Sequence, residues 1–99
     1  MTIRLTRRAD ADLLDIAEYT AGRWGTAQAN AYTAAFAQAF QRLDENPTML
    51  GSRARDDLGR GYRTLAVEQH LVIYRHRAGV THIMRVLHHR MNLPLHRLS

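Results

Sequence analysis

Apolar residues in the first half of the chain recur at three- and four-residue steps, which is the spacing of one helix face. One such face runs through residues 9–24 and ends at Gly25, and a second runs through residues 26–46 and ends before Pro47. Proline discourages continuation of a helix, and glycine commonly ends one. A joint of one or two residues between the helices predicts an antiparallel helical hairpin.

The segments on either side of the hairpin follow other patterns. Residues 2–6 alternate between polar and apolar side chains and predict a short strand. Thr6 and Thr26 are placed to cap the two helices, because a threonine hydroxyl accepts a free backbone N–H. Residues 47–60 mix glycine and proline with charges, which predicts a loop, with or without a turn of helix.

Three further strands are predicted in the second half of the chain, at residues 61–67, 70–75 and 80–87. Two-residue connections join them, at residues 68–69 and 78–79. Strands joined by such short connections pair in the antiparallel sense.

The resulting order, β-α-α-β-β-β, predicts an α+β fold in one domain over residues 1–99. We expect the helical hairpin to pack on one face of a largely antiparallel sheet and to leave the opposite face basic and partly open. The strand residues expected beneath the helices, or their alternates, are Leu65, Val67, Leu71, Ile73, Ile83 and Leu87.

The composition restricts the chemistry and the location of the protein. The chain has no cysteine, which excludes disulfides and thiol catalysis and fits a reducing cytoplasm. No apolar run approaches the length of a membrane span, and no charged and then apolar leader opens the chain. We therefore expect a soluble, cytoplasmic protein. The sequence has neither a phosphate loop nor a paired-carboxylate site, and no cofactor is expected.

Charge is distributed unevenly between the two halves. Residues 1–50 hold five Arg against six Asp and Glu, a net of −1, whereas residues 51–99 hold nine Arg against three, a net of +6. All fourteen cations are Arg, and a coding preference is the simplest reason for the missing Lys. The asymmetry implies an acidic partner, either nucleic acid or protein.

Four residues on the strands form a candidate reactive set, namely Arg63, Tyr74, Arg85 and His88. Pairing of the last three strands as a meander would bring several of them together. Such a set suits cleavage of RNA by a neighbouring 2′-hydroxyl, with one group taking the proton and cations stabilising the phosphate. It equally suits docking on an acidic protein. The simplest alternative is that exposed Arg keeps the sheet soluble and protects its edges.

The histidines do not form a recognisable metal site. His88 and His89 are adjacent, so their rings face opposite ways in a strand. His70, His76 and His82 are scattered, and neither cysteine nor a zinc-type spacing accompanies them. We expect no bound metal.

Six short segments, spread over nearly the whole chain, form an ordered set. In chain order they are Arg8-Ala9-Asp10-Ala11-Asp12-Leu13, Arg23-Trp24-Gly25 with Gln28-Ala29, Asn46-Pro47, Gly61-Tyr62-Arg63, His70-Leu71-Val72-Ile73-Tyr74-Arg75 and Arg85-Val86-Leu87-His88-His89-Arg90-Met91-Asn92. Taken together in this order, the segments resemble the toxins of the RelE/ParE superfamily, which belong to bacterial toxin–antitoxin pairs. The Arg-Trp-Gly helix joint and the final segment are more similar to the ParE branch than to the RelE branch.

What the resemblance implies for function differs between the branches. RelE-type toxins cut messenger RNA on the ribosome with a basic sheet face rich in Lys and Arg, whereas ParE-type toxins poison DNA gyrase without that nuclease site. The leading hypothesis is a non-enzymatic gyrase inhibitor, because the ParE-like segments occur in order and the second half of the chain is basic. The absence of Lys also departs from the basic cluster of the RelE branch. A RelE-like endonuclease that uses the four-residue set is the alternative, and a non-toxic regulatory module is a third possibility.

The resemblance also implies a partner, a ParD-like antitoxin whose extended C-terminal segment wraps the toxin. A mostly apolar groove along the hairpin is expected to accept an antitoxin helix near Leu14, Ala21, Trp24 and Tyr32. Direct binding of nucleic acid is left open. The further residues expected to contact a partner are Arg60, Arg63, Arg85, His88, Arg90 and Met91.

Overall fold

The computed structural model describes residues 2–88, in which two helices lie on one face of a five-stranded sheet. The elements are β1 (Thr2–Leu5), α1 (Arg7–Trp24), α2 (Thr26–Glu45), β2 (Arg53–Ala54), β3 (Tyr62–Val67), β4 (His70–Arg77) and β5 (Val80–His88). The sheet order is β1-β5-β4-β3-β2. β1 runs parallel to β5, and the other neighbouring pairs are antiparallel. This architecture confirms the predicted α+β fold with a helical hairpin on a largely antiparallel sheet.

A single residue, Gly25, joins the two helices at a φ of 94°, a backbone region that favours glycine. Thr6 caps α1 as predicted, because its hydroxyl accepts the Ala9 N–H at 3.0 Å. The predicted cap at Thr26 is wrong. Thr26 is already the first residue of α2, and the one-residue joint leaves only a glycine, which has no side chain, in the cap position. Within the described residues, neither helix is apolar enough over a sufficient length to cross a membrane.

The predicted loop at residues 47–60 contains a short strand, β2, that the sequence pattern did not indicate. Arg53 pairs with Thr64 and Ala54 with Arg63 along one edge of β3. Two residues are too few to display an alternating pattern, so only the pairing with β3 identifies them as a strand. β4 also extends two residues further than predicted, to Arg77.

The core beneath the helices is built from α2 and the three long strands. Phe36, Phe40 and Leu43 from α2 are buried against the sheet. The buried strand residues on this side are Leu65, Val72, Tyr74, Ile83 and Val86. Leu65 and Ile83 therefore lie where they were predicted, and Val67 packs against the same core as a partly buried residue.

The opposite side of the sheet, here called the outer face, carries a second apolar cluster. Ile73, Met84 and Leu87 are buried there, with Leu71 packed against them. Leu71, Ile73 and Leu87 were among the residues predicted to lie under the helices, but they lie on the outer face. The residues that alternate with them along the strands lie under the helices instead. The outer face, which was predicted to be basic and partly open, therefore includes an apolar part formed by the second cluster.

A β-bulge in β5 explains why simple alternation fails there. The register between β4 and β5 shifts at Ile73 and Tyr74, which pair with Arg85 and Ile83 and leave Met84 without a partner of its own in this ladder. A bulge of this kind bends the strand and redirects the neighbouring side chains. The Arg85 side chain consequently reaches Asp12 on α1.

α1 completes the edge of β5 where β1 ends. The Thr6 N–H donates to the Ile83 carbonyl at 3.0 Å, and the Thr6 hydroxyl donates to the Met84 carbonyl at 2.7 Å. One turn further along, the Asp12 carboxylate accepts the Val86 N–H at 3.0 Å. It also accepts two hydrogen bonds from Arg85, from Nε at 2.7 Å and from Nη2 at 2.9 Å. Both side chains are only 13% exposed.

We predict that Asp12→Ala lowers the free energy of unfolding by about 3 kcal/mol, because it leaves the Arg85 charge and the Val86 N–H without their partner in a poorly solvated place. Chemical denaturation followed by circular dichroism measures the change. Asp10→Ala, the same truncation at an exposed position of the same helix, is the control and should cost less than about 1 kcal/mol. Equal losses for the two variants would contradict the assignment.

Candidate functional site

The structure brings together two residues of the candidate reactive set, Arg63 and Tyr74, and places Arg85 and His88 elsewhere. Arg63 and Tyr74 are cross-strand partners in β3 and β4. Arg85 is aligned with Ile73 and held by Asp12, and His88 is aligned with His70 at the end of the sheet. The set therefore does not converge on one point.

Tyr74 is fully buried, and its hydroxyl forms hydrogen bonds with the loop after α2. It donates to the Pro47 carbonyl and contacts the Ser52 hydroxyl. Arg63 Nε donates to that same Ser52 hydroxyl at 2.8 Å, and its Nη2 contacts the Ser52 carbonyl at 3.3 Å. These bonds hold the 47–52 loop against the sheet, which is a structural role for both residues.

The Arg85 side chain is likewise bound within the fold, by Asp12. Hydrogen bonds with Asp12 raise the pKa of Arg85 above its ordinary value, against the smaller opposing effect of burial. Its guanidinium stays charged at any physiological pH. The sequence had placed Arg85 among the residues that contact a partner, but in the described part of the chain it binds α1.

His88 lines a groove that the other members of the set do not reach. The groove runs between α1, the start of α2 and the end of the sheet, and encloses about 740 Å³. Its lining residues are Asp15, Ile16, Tyr19, Thr20, Trp24, Gln28, Tyr32, Gln69, His70 and His88. We call it the aromatic groove.

The rim of the aromatic groove is an exposed pair of aromatic side chains. Tyr19 and Trp24 are each 66% exposed, an unusual state for large rings in a protein of this size. Arg23 lies against Trp24, with its Cζ 5.6 Å from the ring centroid. A rim of this kind is typical of a surface that another protein covers, since Trp, Tyr and Arg dominate binding hot spots.

The floor of the aromatic groove is polar and ordered by hydrogen bonds. The Gln69 N–H donates to the Tyr32 hydroxyl at 3.1 Å, and this hydroxyl shares a hydrogen bond with His70 Nδ1 at 3.2 Å. The His70 and His88 rings are packed edge to face, with centroids 5.4 Å apart. The groove thus offers apolar area at its rim and hydrogen-bonding groups at its base.

Two of the four predicted hairpin residues, Trp24 and Tyr32, line the aromatic groove. Leu14 is 60% exposed and lines a separate, smaller groove of about 370 Å³ between the two helices. Ala21 is partly buried and lines neither groove. Sequence reasoning missed Tyr19 and His70. Tyr19 was findable, because a tyrosine on the polar side of an amphipathic helix is unusual.

The remaining predicted contact residues lie elsewhere. Arg60 is exposed in the turn before β3. Arg90 and Met91 fall outside the described residues. In residues 2–88 no group of three His, Cys, Asp or Glu side chains is arranged to hold a metal ion. The His76 side chain forms a hydrogen bond with a residue of the neighbouring strand, with its Nδ1 2.8 Å from the Thr81 hydroxyl.

Comparison with known proteins places this geometry in a family. Residues 3–93 match the family model described as ParE toxin of type II toxin-antitoxin system, parDE. Toxin ParE1 of Caulobacter vibrioides is 42% identical over 94 residues, which is 94% of each chain. Toxin ParE1 of Mycobacterium tuberculosis is 37% identical over 90% of each chain.

Solved structures agree on the fold. A chain from the chromosomal ParDE TA system of P. aeruginosa superposes with a TM-score of 0.74 at 22% identity, covering 89% of this chain and 95% of that one. A chain from the YoeB-YefM complex of Staphylococcus aureus gives a TM-score of 0.61 at 15% identity, over 88% and 94% of the two chains. With a family match over residues 3–93 and relatives of up to 42% identity among those compared, the chain belongs to the ParE toxin family of type II toxin–antitoxin systems.

Proposed function

We propose that this toxin inhibits DNA gyrase by binding it, without catalysing a reaction, and that a ParD-like antitoxin neutralises it. The observation that carries the proposal is the separation of Arg85 and His88 from Arg63 and Tyr74. A nuclease needs its acid, its base and its cations within reach of one phosphate. Here the Tyr74 hydroxyl is enclosed by Pro47 and Ser52, and Arg85 is bound to Asp12.

The aromatic groove supports the antitoxin part of the proposal. An amphipathic helix from a partner would place its apolar side on Tyr19 and Trp24, and its polar side chains over Tyr32, His70 and Gln69. Burial of two aromatic rings supplies much of the affinity of a typical protein interface. Both structural relatives come from toxin–antitoxin systems, which fits an antitoxin as the occupant.

The first prediction concerns the target. The folded, antitoxin-free chain should block negative supercoiling of relaxed plasmid by gyrase, and addition of the antitoxin encoded beside the toxin gene should restore supercoiling. The same preparation should leave messenger RNA uncut on translating ribosomes. Unimpaired supercoiling at a large excess of folded toxin would refute the gyrase proposal, and ribosome-dependent cleavage would favour the nuclease.

The second prediction separates toxicity from neutralisation. His88→Gln removes the imidazole that a nuclease would use but keeps a polar side chain in the aromatic groove. We expect cells that express this variant to arrest as the parent toxin does, and to require more antitoxin for rescue. Growth of the variant at parental expression levels, with the fold intact by circular dichroism, would instead indicate a chemical role for His88.

The third prediction concerns the groove rim. Trp24→Ser should weaken antitoxin binding by about tenfold or more, measured by isothermal titration, because a central aromatic anchor is lost. Leu50→Ser is the matched control. Leu50 is 98% exposed in the 47–52 loop and does not line the aromatic groove. Similar affinities for the parent and Trp24→Ser would place the antitoxin elsewhere.

A further inference from the structure

The outer face has a charged end beside its apolar cluster. Strand pairing aligns Arg4 of β1 with His82 of β5, His82 with Arg75 of β4, and Arg75 with Tyr62 of β3. Residues paired directly across strands share a face of the sheet. Arg77 lies on the same face, two residues beyond Arg75. We call Arg4, Arg75 and Arg77 the outer-face cations.

No acidic side chain interrupts this surface. β1, β3, β4 and β5 contain no Asp or Glu at any position. Within residues 2–88, Arg4, Arg75 and Arg77 form no ion pair. In the turn that leads into β3, Asp57 is already paired with Arg55 at 2.8 Å, and Asp56 accepts the Gly61 N–H at 3.3 Å. The four strands themselves therefore carry arginines and no carboxylate at this end of the sheet.

Arg75 is held in place while one of its donors stays unused. Its Cζ lies 5.3 Å from the Tyr62 ring centroid, within cation–π distance. Its Nε is buried and has no hydrogen-bond partner within residues 2–88. Burying a donor without an acceptor is unfavourable, so this placement of Arg75 carries a cost in the free protein. Arg4 and Arg77 are exposed and free to reorient toward the same ligand.

The spacing of this surface fits a chain of phosphates. The arginines lie on β1 and β4 with β5 between them, so at a strand spacing of about 4.8 Å they span about 10 Å, which is about three phosphate steps along the axis of a DNA duplex. Arginine binds phosphate through two parallel hydrogen bonds. Interfaces with DNA are more polar and more positively charged than those with proteins. Among residues 2–88, the aromatic ring at the charged end of the outer face is Tyr62, which is partly buried and lies against Arg75.

We propose that the outer-face cations form a binding surface for the phosphate backbone of duplex DNA. The surface lies across the sheet from the helices, so it is separate from the aromatic groove. Its contacts recognise the charge and the spacing of the phosphates, and they do not depend on the base sequence. The proposal does not depend on gyrase being the target, and the test below contains no gyrase.

The test is fluorescence anisotropy of a labelled 20-base-pair duplex titrated with the folded full-length chain. Binding through about three phosphates should weaken by about 40-fold between 50 and 200 mM salt. The double variant Arg4→Glu with Arg77→Glu should bind at least about tenfold more weakly at low salt and should show a salt slope smaller by about 2. Both replaced residues are exposed, and Arg75 with its Tyr62 contact is left intact.

The control is Arg7→Glu with Arg42→Glu, which makes the same change of net charge at exposed positions on the helices. It should retain parental affinity within about threefold, since only long-range attraction is altered. Equal losses in the two double variants would overturn the proposal, because they would assign binding to overall charge. Absence of salt-dependent binding by the parent would overturn it as well.

Poly-glutamate serves as a competing probe for an acidic protein partner. The proposal predicts that poly-glutamate displaces the duplex only at a large excess of charge, because carboxylates along a flexible peptide do not match the phosphate spacing. Tight binding of poly-glutamate that the Arg4 and Arg77 changes abolish, with weak duplex binding, would reassign the surface to an acidic protein.

Discussion

One carboxylate connects the two layers of this toxin. Asp12 accepts hydrogen bonds from Arg85 and from the Val86 backbone, at the position where the end of β1 would otherwise leave the edge of β5 unpaired. The helix is fixed at a definite height and rotation against the strand, and the packing of Ile83 and Val86 beneath it follows. The exposed side of α1 is then also fixed, which sets the positions of Tyr19 and Trp24 at the groove rim.

The same connection limits which arginines of the sheet are open to a ligand. Two of the arginines of the candidate reactive set are bound within the fold, Arg85 by Asp12 and Arg63 by Ser52. Two surfaces lie on different sides of the sheet, the aromatic groove beside the helices and the cations on the outer face. Because these surfaces do not overlap, a molecule bound at one would not block the other.

Much of the fold follows from local pattern, and the rest depends on contacts between distant residues. The helical face of residues 9–24 and the short connections between the later strands predicted the hairpin and the antiparallel sheet correctly. β2 and the bulge were not predictable, because each is defined only by its partner strand. For the site, Trp24 and Tyr32 were foreseen on one groove, whereas the role of Arg85 depends on an aspartate 73 positions away.

The one-residue joint at Gly25 has a consequence for recognition. Trp24 ends α1 and Thr26 begins α2. The two helices, which form two walls of the aromatic groove, are therefore joined by a single residue that allows little change in their separation. A groove of fixed width is preorganised for binding. Nearly all of the conformational entropy lost on binding is then lost by the molecule that enters the groove. Such a rigid receptor discriminates by steric rejection, because it cannot widen for a bulkier helix or tighten around a slimmer one. In a cell that holds several related toxins, this rigidity would reduce binding of this toxin by the antitoxins of the others.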